Sequence, residues 1–190
     1  MNSSEIMDLL GSVGDGPYVK NVDIVIVIET SENMSRVVDD IKNLDFSVDG
    51  FLNYLGLRDR ENIKKIRYKL VWFNGTLKRK ISSSQFYTVP GEETELRECL
   101  SKISTEGTGK ADCVPIQALL KAMNSNFCDV GNKIYHIIVV LSNSGVYWES
   151  DEEYEKLREL LVNGVHQTER RKYLFYLHRI KLLGMKLGWS

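Results

Sequence analysis

The sequence predicts an α/β protein: a three-layer α/β/α, Rossmann-like sandwich around a mostly parallel sheet, with an antiparallel hairpin at its edge. Three observations lead there. Val22–Ile28 and Ile134–Leu141 are apolar runs of strand length without clean alternation, as in strands buried on both faces. Each ends abruptly in small oxygen-bearing side chains, Glu29-Thr30-Ser31-Glu32-Asn33-Met34-Ser35 in one case and Ser142-Asn143-Ser144-Gly145 in the other. Strand-like and helix-like segments alternate along the rest of the chain. In an open parallel sheet, ligand sites form outside the carboxyl ends of the strands, so the two tips together define one polar site.

The elements follow in order. Residues 1–21 are a lead-in, where Gly11, Gly14 and Gly16 break any helix begun by Ile6–Leu10. A helix is expected from Ser35 to Leu55, because Val37, Ile41, Leu44, Val48, Phe51 and Leu55 recur at three- and four-residue steps; Gly56 ends it. Ile66–Phe73 reads as a strand, with Ile66, Tyr68, Leu70 and Trp72 alternating against Arg67 and Lys69. Asn74-Gly75 signals a hairpin turn into Thr76–Ile81. Phe86–Val89 is a short extended piece, and Glu93–Ile103 is helical, with Leu96, Leu100 and Ile103 on one side. Ser104–Lys110 is a Gly/Thr loop, and Val114–Met123 is a further helix. Ser150-Asp151-Glu152-Glu153 is a capping box that opens a helix presenting Tyr154, Leu157 and Leu161, with Asn163-Gly164 as its stop. Tyr173–Ile180 fits a strand or a short helix, and its aromatic and branched content favours the strand. Right-handed crossovers put helices on both faces of the sheet. The chain reads as one domain, 1–190, with its core at about 22–164 and a tail at 165–190.

Composition excludes several functions. A net charge of −1 gives no global field to draw nucleic acid or an acidic membrane surface, so neither is expected as a partner. The tail mixes Arg170, Arg171 and Lys172 with Tyr173, Phe175 and Tyr176, a pattern used on single-stranded nucleic acid, but charges flanking a buried strand explain it equally well. No apolar stretch is long enough to span a bilayer. Met1–Glu5 lacks the basic start and apolar run of a secretion signal, so a cytoplasmic location is expected. Cys99, Cys113 and Cys128 are odd in number and form no CxxC; they read as reduced, packed thiols. His136, His166 and His178 show no zinc-ligand spacing with them. No nucleophile–base–acid set can be assembled, so catalysis is not expected. Gly11-Ser12-Val13-Gly14-Asp15-Gly16 precedes a strand instead of following one, and Gly107-Thr108-Gly109-Lys110 lacks the other Walker residues; neither is a phosphate loop.

From about Val22 to Gly164, the order of elements and the strand-tip phrases resemble the von Willebrand factor A (vWA) domain. The likeness is to the short bacterial intracellular branch found with tellurium-resistance operons. Leu70-Val71-Trp72-Phe73-Asn74 sits where that family has a strand ending in Phe-Asp or Phe-Asn. In the family, Asp-x-Ser-x-Ser at the first tip, a Thr from a middle loop and a later Thr/Ser-Asp-Gly hold a divalent metal that bridges to a partner's carboxylate. The resemblance puts Glu29 at the Asp, Ser31 at the first Ser and Asn33 at the second. Asp112-Cys113-Val114-Pro115-Ile116-Gln117-Ala118-Leu119 puts Cys113 at the Thr, while a looser alignment uses Thr108. Asn143-Ser144-Gly145 stands for Thr-Asp-Gly.

The metal ligands so implied are Glu29, Ser31, Asn33, Thr108 and Ser144, with Asp112 a stray second anion. Affinity for a hard divalent cation follows the number of charged ligands, and only Glu29 keeps a carboxylate at a family position, so the site reads as degenerate. No cofactor is expected, with Mg²⁺ or Mn²⁺ as the alternative. The expected function is a non-catalytic, vWA-like protein-interaction module that docks a protein partner on Glu29, Ser31, Asn33, Asp112, Cys113, Asn143 and Ser144. Two alternatives use the same tips: a working Mg/Mn-dependent adhesion-type site on Glu29, and a nucleotide- or phosphate-handling α/β enzyme. The plainer reading makes Glu29 a cap for the helix amides that follow, Ser31 and Asn33 turn residues, Cys113 a packed thiol and His136 a satisfied core or edge residue. Residues 165–190 leave room for one further strand, and an exposed apolar edge would favour a homodimer by edge pairing.

Overall fold

The computed structural model describes residues 20–42, 63–74, 81–105, 113–130, 133–142, 145–147, 150–166 and 171–178. The first apolar run forms β1 (Lys20–Glu29), followed by a 3₁₀ turn (Glu32–Met34) and α1 (Ser35–Lys42). Next come β2 (Ile63–Phe73), β3 (Ile81–Ser83), β4 (Tyr87–Val89) and α2 (Glu93–Ser101). Then follow β5 (Cys113–Pro115), α3 (Ile116–Met123), β6 (Lys133–Leu141), β7 (Gly145–Tyr147), α4 (Asp151–His166) and β8 (Arg171–His178).

The fold is α/β with a mixed, mostly parallel sheet in the order β3-β2-β1-β6-β8, with β4 also pairing with β2. β1 is central and runs parallel to both β2 and β6, and β6 is parallel to β8. The antiparallel edge is made by β3 and β4 on β2. A separate two-stranded parallel sheet pairs Cys113 with Gly145 and Pro115 with Tyr147.

Successive residues of a strand point to opposite faces, and β1 uses both. Val22, Ile24, Ile26 and Ile28 join a core with Met34, Val38 and Ile41 near α1 and with Leu96, Leu100 and Ile103 near α2. Val25 and Val27 join a second core with Ile116, Ala118, Leu119 and Ala122 of α3 and Leu157 of α4. Each buried aliphatic side chain contributes about 1.5–3 kcal/mol, so the absence of alternation in β1 has a direct energetic cause. α3 is tied to α4 by Gln117 Nε2, which donates to Glu153 Oε1 at 2.6 Å.

Several boundaries differ from the expectation. The Asn163-Gly164 stop is overturned: α4 runs through both residues to His166. A glycine inside a helix costs only about 1 kcal/mol relative to alanine, and the turns on either side override it. α3 starts at Ile116 instead of Val114, because a residue before proline is pushed out of the helical region and Val114 precedes Pro115. The antiparallel strand after Asn74 is observed at Ile81–Ser83, and residues 75–80 of the expected hairpin lie outside the described residues. The expected helix to Leu55 is described only as far as Lys42. The ambiguous tail segment is a strand at Arg171–His178 beside β6. The Ser150 capping box forms, with the Glu153 N–H reaching Ser150 Oγ at 3.3 Å. No described helix is long and apolar enough to cross a membrane.

Candidate functional site

The site begins at the carboxyl end of β1. Glu29 is in register with Phe73, the last residue of β2, and lies one step past the Ile28–Leu141 pair with β6. The Thr30 N–H and hydroxyl both donate to the Phe73 carbonyl at 2.9 Å, which fastens the outgoing chain to the tip of β2. A 3₁₀ turn follows, closed by the Met34 N–H on the Ser31 carbonyl at 2.9 Å and anchored by the buried Met34 side chain. Ser31 has extended φ/ψ, but its hydroxyl does not cap the turn. It points back and donates to Glu29 Oε1 at 2.6 Å. From the tip of β6, Ser142 Oγ donates to Glu29 Oε2. Glu29, Thr30, Ser31 and Ser142 are all buried.

Glu29 is the acceptor at the centre of these contacts. Its two carboxylate oxygens gather hydroxyls from two neighbouring strand tips. Alternation places Glu29 on the same face as Val25 and Val27, toward α3. The pairing of Cys113 with Gly145 draws the start of the α3 segment alongside the chain leaving β6. Asn33 is exposed in the 3₁₀ turn. Thr108, Asp112, Asn143 and Ser144 lie outside the described residues, and Cys113 is described by its backbone alone. Ser142 was not among the residues singled out. The signal for it is positional: it is the first residue past an apolar strand adjacent to β1.

A hard divalent cation needs several oxygen ligands, with carboxylate charge among them. The described donors at the tip are one carboxylate and two hydroxyls that already donate to it. Among the described residues, no group of three or more His, Cys, Asp or Glu side chains could hold a metal ion.

A second polar group sits at the other end of the same strand, where sequence reading took Val22–Ile28 as apolar and passed over Asp23. Asp23 on β1 is the register partner of Arg67 on β2 and of His136 on β6. Asp23 is buried and accepts Arg67 Nε at 2.7 Å, Arg67 Nη2 at 2.5 Å and the Cys128 N–H at 2.6 Å. This bond to Asp23 is the main reason the Arg67 guanidinium holds its proton more tightly than usual. His136 Nε2 lies 3.1 Å from the Cys128 carbonyl, so Nε2 carries the proton in that bond. The His136 ring stacks on Phe127 at 4.2 Å, and Arg67 lies over Phe86 at 4.5 Å. Burial, followed by the nearby Lys121 charge, pushes the Lys69 ammonium below its usual value. His136 is thus a core residue, as the plainer reading held. The findable signal was an acid and a base of opposite sign inside two neighbouring strand patterns.

No protein-family model matches the chain, and no curated protein matches it.

Proposed function

We propose that this chain is a vWA-like, three-layer α/β/α interaction module that docks a protein partner on its strand tips without needing a metal. The observation that supports this is the Glu29 carboxylate, buried at the central tip and engaged by the Ser31 and Ser142 hydroxyls of two segments. Such an arrangement draws the tip together by internal hydrogen bonds, a role the metal has in the family the sequence resembles. The exposed residues of the turn, Glu32 and Asn33, then form a surface for a partner.

The test compares partner retention by the native chain with retention by a Ser31→Ala, Asn33→Ala double variant. Retention should be lost in the variant and unchanged by EDTA in the native chain. Undiminished retention by the variant sinks the tip as the docking surface.

The convergence of three oxygen-bearing side chains, Glu29, Ser31 and Ser142, on one tip also favours a second reading, an adhesion-type site in which Glu29 is the charged ligand. A cation that binds only the native state raises the unfolding midpoint by mass action. Under this second reading, millimolar Mg²⁺ or Mn²⁺ raises the midpoint relative to EDTA and Glu29→Gln removes the rise. An unchanged midpoint leaves the metal-independent reading standing.

A further inference from the structure

The Asn124–Val130 segment leaves the end of α3 and crosses the sheet end opposite the Glu29 tip. Side chains of two strands pin its backbone: Asn21 Nδ2 donates to the Val130 carbonyl at 2.6 Å, Asp23 accepts the Cys128 N–H, and His136 donates to the Cys128 carbonyl. Arg67 Nη2 reaches the Asn126 carbonyl at 3.5 Å. The pinned segment walls an open cleft of about 330 Å³. That is the lower end of the range for small-molecule sites, about 300–1,000 Å³.

The cleft is lined by Asn124, Ser125, Asn126, Asp129 and His136, with Met123 and Phe127 as its apolar members. Two carboxamides and a hydroxyl offer donors and acceptors together, and Asp129 adds acceptors. Among the described residues no Lys or Arg lines the cleft, and the Arg67 charge beneath it is engaged by Asp23, so the charge that the described lining offers an anionic ligand is the Asp129 carboxylate. A single exposed carboxylate among neutral amides is weak provision for a cation. Ligand hydroxyls that both donate and accept complement this lining best. We propose that the cleft binds a small, neutral polyhydroxylated solute of monosaccharide size. This does not rest on the strand-tip reading, since β1 separates Asp23 from Glu29 by about 20 Å at ~3.3 Å per residue.

The experiment follows backbone amide signals by NMR during titration with D-glucose, D-ribose and myo-inositol, with inorganic phosphate and spermidine as charged comparisons. At least one of the neutral probes should shift the Asn124–Val130 amides while leaving those of Glu29–Met34 in place. An Asn126→Ala, Asp129→Ala variant, altered only at exposed side chains, should bind that probe roughly tenfold more weakly with its unfolding midpoint unchanged. Three results overturn the proposal: silence from all three neutral probes, equal binding by the variant, or shifts of these amides by phosphate or spermidine alone.

Discussion

β1 carries two buried carboxylates on one face, six residues apart, and holds them differently. Asp23, near the start of the strand, meets a guanidinium in a two-pronged contact and a backbone N–H. Glu29, at the tip, meets the hydroxyls of Ser31 and Ser142. A bidentate guanidinium matches carboxylate geometry and charge, and it locks the two strands and the Cys128 backbone together. Hydroxyls rotate, and each can accept as readily as it donates, so the tip can be rearranged without leaving a full opposite charge behind. The start of the strand is therefore organised for permanence and the tip for adjustment. An adjustable tip at the carboxyl end of a parallel sheet is where a binding surface is expected.

The largest expected effect breaks the Asp23 end. Arg67→Met leaves the Asp23 carboxylate, whose side chain is only 2% exposed, without its cation. Removing one member of a buried pair costs about 3–5 kcal/mol. The urea midpoint of unfolding should fall accordingly, and Asp23→Asn added to Arg67→Met should recover most of the loss, because no uncompensated charge then remains. If the double variant is as unstable as the single one, packing of the arginine stem, and not charge, sets the cost.

How much of this contrast could be read beforehand follows from the physics of each end. The tip was legible because Glu29-Thr30-Ser31-Glu32-Asn33 interrupts an apolar run, and the central position of β1 and β6 followed from their doubly buried composition. The partner of Glu29 was less legible. Ser142 depends on register between strands 113 residues apart, which local pattern does not encode. Asp23 was hidden because one charge in a seven-residue apolar run hardly alters its average, and Arg67 looked like the solvent side of an alternating strand. Long-range pairing buries Asp23 and half-buries Arg67 against it. The overrun of α4 past Asn163-Gly164 has the same origin, since tertiary context outweighs a local breaker.

The next effect sharpens the tip. Ser142→Ala deletes a hydroxyl donor to a buried carboxylate and should cost about 1.5–3 kcal/mol, the range for hydrogen bonds to charged groups. Glu29→Gln keeps an acceptor for the hydroxyls and removes the charge, so it should cost less, about 1 kcal/mol. Denaturation of the two variants side by side checks the order. A Glu29→Gln loss equal to that of Arg67→Met would mean that the tip carboxylate is held as rigidly as Asp23, and the contrast would fail.

Tyr68 shows a third way of housing an ionisable group, which is to stay neutral. It is buried in the core on the α1 and α2 side, and burial pushes its phenol above the ordinary value near 10. The folded state therefore keeps a proton that the unfolded chain gives up. Its contribution is intact below the unfolded value and is lost as pH rises beyond it. Stability should decline as the solution becomes strongly alkaline, and the decline should be shallower in Tyr68→Phe. Identical alkaline slopes for the two proteins would remove Tyr68 from the account.

The smallest effect isolates what burial adds. On α4, Lys156 Nζ lies 2.6 Å from Glu152 Oε1, about as close as Arg67 lies to Asp23. The bond raises the lysine and lowers the glutamate from their ordinary values, but both side chains are more than half exposed. Water already solvates each charge there, and salt screens what remains of the attraction. Lys156→Gln should leave the urea midpoint where it was, at low and at high salt alike. Two contacts of nearly equal length would then differ in cost chiefly because one carboxylate can reach water when its cation is removed and the other cannot. A Lys156→Gln loss approaching that of Arg67→Met would show that proximity alone sets the cost, and the division of β1 into a fixed end and an adjustable tip would lose its physical basis.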